Sequence, residues 1–129
     1  MGLFGDSKQV INLFPESSDE KTFYIKSSKT TVRLDANFIR IARGGAINTI
    51  LQGLDGEKSI LLREITAYQL KEPGLTVGYL QINYPGSQDT KGGVTDAVKD
   101  ENTISFIKTE KEDILQLKIA IENAIINKH

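Results

Sequence analysis

The sequence predicts an α+β fold that is mainly β: a curved antiparallel sheet or partly open barrel of six or seven strands, capped by a C-terminal amphipathic helix. Three observations carry this expectation. Short runs alternate apolar and polar residues, the period of half-buried strands. Pro-Gly and Gly-Gly pairs and an Asp-Ala-Asn stretch separate those runs, where the chain has to turn. The last stretch changes to helical spacing behind a helix-start signal.

Residues 1–29 read as an N-terminal arm with apolar clusters at Val10–Phe14 and Phe23–Ile25, separated by the acidic, Ser-rich PESSDE. The second cluster has the composition of a strand. Residues 30–129 are expected to form the domain proper, one compact unit with the arm. Thr31–Leu34 and Phe38–Arg43 alternate around Asp35-Ala36-Asn37, giving a β-hairpin with Val32, Leu34, Ile39 and Ile41 inward. Ile47, Ile50, Leu51 and Leu54 follow at i, i+3, i+4 and i+7, which suits a short helix or successive turns.

The stretch from Gly56 to Gly86 holds the strongest β patterning. Ser59–Leu62 and Ile65–Leu70 are strand-like runs, and a bend or single helical turn fits Arg63-Glu64 between them. Pro73-Gly74 supplies turn chemistry. Val77–Tyr84 then alternates, with Leu80, Ile82 and Tyr84 on one face and Tyr79, Gln81 and Asn83 on the other, as a half-buried strand does. These runs read as one antiparallel meander. Residues 87–101 are polar and Gly-containing, a loop, and Asn102–Lys108 is a last strand with Ile104 and Phe106 alternating.

At the C-terminus Thr109 is the expected N-cap and Glu112, three residues on, completes a capping box. Glu110, Glu112 and Asp113 crowd the first turn, where the helix dipole favours negative charge. The helix runs to about Asn127, with Ile114, Leu117, Ile121, Ala124 and Ile125 as the stripe that lies on the sheet. Leu115, Ile119 and Ile126 form a second apolar stripe, away from the first. A helix with one buried face does not need it, so these three residues are the expected protein interface.

At 129 residues the chain has the length of a single domain with a real core. Its 16 basic and 17 acidic residues leave a net charge of −1, without the basic excess of a dedicated nucleic-acid binder. No cysteine is present, so disulfides, thiolate nucleophiles and cysteine-ligated zinc are excluded. No apolar run reaches the ~20 residues a membrane helix needs, and the N-terminus lacks the layout of a signal peptide. A cytoplasmic location is expected.

No catalytic constellation emerges. The single histidine is His129, the last residue, where side chains are solvated. Asp89, Asp96, Asp100 and Glu101 lack the ligand spacing of a calcium loop, and Gly44-Gly45 and Gly92-Gly93 lack the lysine and hydroxyl of a phosphate loop. The expectation is a protein that is not an enzyme, with no cofactor and no metal. Lys26, Lys29, Arg33, Arg40 and Arg43 concentrate on the first hairpin and its approach. They read first as a solvated basic face, and as a weak anion or lipid patch in the sharper alternative.

The pattern G-E-K-x-I-x-L-x-x-I over Gly56–Ile65, with Pro73, Gly78-Tyr79-Leu80-Gln81, Pro85-Gly86, the hairpin TVRLDANFIRIAR and the closing ISFIK and IENAI, resembles the bacterial pleckstrin-homology-like domains of unknown function. Such domains are found in Gram-positive bacteria and their prophages, and the resemblance covers residues 30–126. Some relatives add a short C-terminal (SHOCT) segment that this chain is expected to lack. The resemblance implies a fold and an interaction role without known catalysis. Eukaryotic pleckstrin-homology domains grip phosphoinositide headgroups with basic residues on their first two strands. Here the corresponding turn is Asp35-Ala36-Asn37, acidic where a phosphate wants cations. The expected function is therefore a protein-interaction or self-association module, a homo-oligomer, with peripheral binding of anionic lipid as the alternative.

Overall fold

The computed structural model describes residues 11–44, 56–87 and 101–127. Seven strands and one helix lie within them: β1 (Lys21–Ile25), β2 (Thr30–Leu34), β3 (Phe38–Arg43), β4 (Glu57–Leu61), β5 (Ala67–Lys71), β6 (Gly78–Asn83), β7 (Thr103–Phe106) and α1 (Lys111–Ile126). The fold is mainly β: two open antiparallel sheets, β1-β2-β3-β4 and β5-β6-β7, with the helix at the C-terminal end. The helical spacing of Ile47–Leu54 falls outside the described residues. So does most of the 87–101 loop.

The hairpin forms where the alternation places it. Val32 faces Ile41 and Leu34 faces Ile39 across the β2–β3 ladder, and all four side chains are buried. Phe23–Ile25 does form strand, pairing β1 to β2 with Phe23 opposite Val32. Apolar residues of both sheets then meet those of the helix in one core: Ile25, Val32, Leu34, Ile39, Ile41, Ile60, Leu62, Leu80, Ile82, Ile104, Phe106, Ile114, Leu117 and Ile121.

Three sequence expectations are corrected. Gly56–Gly86 is not one meander, because β4 and β5 lie in different sheets. A single 3-10 turn, Leu62–Glu64, carries the chain across, and its Leu62 drops into the core at 0% exposure. Nor is β6 half-buried: Tyr79 and Gln81 on its outer face are as enclosed as Leu80 and Ile82 on its inner one. The Gln81 amide nitrogen donates to Thr103 Oγ1 on β7 at 3.1 Å, which gives this polar side chain a partner in the interior. Gly78 opens this strand because nothing larger fits. A Cβ there would stand 2.4 Å from the Lys71 carbonyl oxygen.

The third correction concerns the helix start. The chain enters α1 through a 3-10 turn, Lys108–Glu110, and the residue at the cap is Glu110 rather than Thr109. Glu110 is buried and its carboxylate accepts the Ile107 amide at 3.0 Å and the Ser27 amide at 2.9 Å, together with the Ser27 hydroxyl. Burial alone would push this carboxyl up; the Ser27 and backbone donors outweigh it and hold it below its ordinary value. Thr109 stays exposed, and Glu112 accepts from Gln116 instead. Partners across the fold thus override the local capping box, tying the helix start to the turn between β1 and β2.

Candidate functional site

Two surfaces hold the candidate residues. On the outer face of the first sheet, Arg33 of β2 stands directly across the ladder from Arg40 of β3. Like charges so placed repel, and the fold answers with carboxylates. Arg33 is 2% exposed and donates in bidentate fashion to Glu57 of β4, with Nε and Nη2 each 2.9 Å from an oxygen. Its Nη1 reaches the Phe14 and Pro15 carbonyls, both at 3.2 Å, and Glu20 at 3.3 Å. The guanidinium therefore straps the N-terminal arm onto the sheet. Burial works against its charge, but Glu57 and Glu20 prevail and raise its pKa.

Arg40 pairs with Asp35 at 2.7 Å and lies 4.5 Å from the centre of the Phe38 ring. Asp35 also accepts the Asn37 and Phe38 amides, each at 2.8 Å, and the Ser17 hydroxyl at 2.9 Å. Burial would push its carboxyl up; the donors, Arg40 foremost, hold it far below the usual carboxylate range. Arg43 turns to the other side and donates to the Thr103 carbonyl of β7 at 2.7 Å, a strut between the sheets. Lys26 and Lys29 are exposed on the turn after β1, where Lys29 adopts a left-handed φ of 49°. The five basic residues are thus spread over separate surroundings, the three arginines being engaged inside the fold.

The second surface is the outer side of α1. Ile114, Leu117 and Ile121 face the core, with Ala124 and Ile125 half-buried beside them. Leu115, Ile119 and Ile126 point away and are 44%, 40% and 67% exposed. Beside the helix runs β5, which among the described residues pairs with β6 alone, so no described strand lies on its other backbone edge. Tyr68 and Leu70 face the same side as Ile82 and Leu80, their partners across that ladder. The Tyr68 hydroxyl donates to Glu122 of α1, which also pairs with Lys118 at 3.1 Å.

Between β5 and the start of α1 lies a groove of about 260 Å³, walled by Leu70, Phe106, Ile114 and Leu115. Lys111 and Glu72, paired at 2.8 Å, also line it. Leu70 is 40% exposed and Leu75 and Ile107 stand out from the neighbouring turn, so the apolar surface continues past the helix. Reasoning from sequence missed Leu70, Leu75 and Ile107. Nothing in ITAYQL marks it as an edge strand, since edge and central strands share one period.

Asp89, Asp96, Asp100 and His129 lie outside the described residues, while Glu101 is exposed at the loop's end. Among the described residues, no three histidine, aspartate or glutamate side chains converge as metal ligands, and no helix is long and apolar enough to cross a membrane. The arrangement offers apolar contact area and backbone hydrogen-bonding groups rather than reactive atoms. Compared with known proteins, residues 32–122 match the family model described as Domain of unknown function (DUF4429). No curated protein and no solved structure matches the chain.

Proposed function

This chain belongs to the DUF4429 family, and from that premise we propose that it is a non-catalytic interaction module that associates with itself. The observation that carries the proposal is the helix stripe. Leu115, Ile119 and Ile126 remain in water on a helix whose core face is already filled. Fully burying an aliphatic side chain is worth roughly 1.5–3 kcal/mol, so covering three of them drives association. A pleckstrin-homology-like scaffold is the finer fold reading, supported by two open antiparallel sheets of four and three strands followed, among the described residues, by one helix. A cytoplasmic location and a Gram-positive or prophage origin belong to the same proposal.

The lipid alternative has less to support it. An anion patch needs cations with unspent charge, and Arg33 and Arg40 are already paired with carboxylates. Lys26 and Lys29 alone would give attraction of about 1 kcal/mol each at an anionic membrane. Light scattering across a concentration series tests self-association: mass should rise with concentration, and Ile119→Lys should hold it at the monomer with unchanged circular dichroism. A wild-type mass that never leaves the monomer would sink the proposal. Retention on anionic vesicles that fades with salt would move the reading to lipid.

A further inference from the structure

We infer that the self-association is a two-fold antiparallel pairing of α1 with a second copy, in which Ile126 of each copy seats in the groove between Leu70 and Leu115 of the other. This rests on the self-association reading and adds a geometry to it. The exposed apolar features of the helix are unequal at its two ends. The C-terminal end carries a knob, Ile126, the most exposed aliphatic of the helix at 67%. The N-terminal end carries a hole, the groove walled by Leu70, Phe106, Ile114 and Leu115. At about 1.5 Å per residue, knob and hole are about 16 Å apart along the axis. A two-fold axis crossing the helix midway, beside Ala120 and Ile121, brings each knob to the other copy's hole. Parallel pairing would instead set Leu115 on Leu115 and leave both grooves empty.

Charge is compatible with the same orientation, though Lys118 and Glu122 already satisfy each other within the chain and add little across the seam. Lys118 and Glu122 are the charged residues between the two ends on this side of the helix, paired within the chain at 3.1 Å. Antiparallel pairing places Glu122 of one copy beside Lys118 and Ile119 of the other, so opposite charges alternate across the seam. Parallel pairing places Glu122 against Glu122, which repels. A helix of 16 residues gives a seam about 24 Å long. With a helix about 10 Å across, the footprint is roughly 240 Å², short of the ~800 Å² per partner of a standard interface, so the dimer is expected to dissociate on dilution.

The absence of cysteine from the sequence makes disulfide mapping direct. Leu115→Cys and Ile126→Cys proteins are mixed in equal amounts and oxidised at a concentration where wild type sediments as a dimer. A disulfide requires Cα atoms within about 7 Å. The expected product is the mixed disulfide, far above its random share. If the substitutions weaken association, Gln116→Cys and Asn123→Cys replace them, since these flank the seam and remove no apolar contact. Dominant self-disulfides at either position overturn the antiparallel register. Dimeric wild type with no cross-link from either pair overturns the helix seam while leaving self-association standing. A wild-type protein that stays monomeric overturns both.

Discussion

The outer face of the first hairpin and the outer face of α1 are opposites. The hairpin face holds the charges that drew notice in the sequence, and the fold spends them internally: Arg33 on Glu57 and Glu20, Arg40 on Asp35. The helix face holds Leu115, Ile119 and Ile126, which stay 40–67% exposed. Charges satisfied inside a chain have little left to offer a ligand, because a partner must first replace what is already bonded. Apolar groups in water lose nothing by being covered. The contrast teaches that Arg33 and Arg40, clustered in the sequence, serve the fold through their carboxylate partners.

The largest expected effect sharpens the comparison on α1 itself. Ile121→Asp puts a carboxylate in the core at a position 1% exposed. Burying that charge costs several kcal/mol against a typical margin of ~5–15, and circular dichroism should show the domain unfolded or melting far below wild type. Unchanged melting would mean that the core stripe lies elsewhere.

Next comes Arg33→Ala, which tests the hairpin face. Removing the guanidinium strands Glu57 and Glu20, both nearly enclosed, and releases the Phe14 and Pro15 carbonyls. A loss of about 3–5 kcal/mol in denaturant unfolding is expected. If stability holds while vesicle binding disappears, Arg33 is a ligand residue and the comparison breaks.

Asp35→Asn should cost about 1–3 kcal/mol at neutral pH, because the amide oxygen still accepts the Asn37 and Phe38 amides while the charge on Arg40 goes unmatched. The pH dependence has a definite sign. The folded carboxyl titrates below its unfolded value of about 4. Its contribution is therefore full above that pH and is lost as pH falls through the depressed folded value. Acid titration of unfolding should narrow the gap between variant and wild type below about pH 4. A gap that stays constant to pH 2 would show that Asp35 is not held ionised.

The smallest effect on stability belongs to Ile119→Lys, whose parent side chain is 40% exposed. A change within about 0.5 kcal/mol is expected for a surface position, alongside a clear loss of association. Strong destabilisation would assign that stripe to the domain's own core and erase the difference between the two faces.

Much of the fold was legible because its signals are local. Val32, Leu34, Ile39 and Ile41 announce a hairpin within a dozen residues, and the helix shows both its core stripe and its surplus one at a 3.6-residue period. The candidate site was legible only in half. The helix stripe can be counted along the chain, while Leu70 joins it because β5 ends a sheet and packs beside α1.

By itself, then, the sequence determined which segments are strands, where the helix lies and how much apolar surface it carries, since each follows from side-chain order along the backbone. Tertiary structure alone decided that β4 and β5 part into different sheets, that Tyr79 and Gln81 are enclosed, and that Glu110 at the helix start accepts from Ser27. It also decided that Arg33 is bound before any ligand arrives. Those outcomes depend on groups distant along the chain meeting in space, and a hydrogen bond between them leaves no periodic trace in the order of residues.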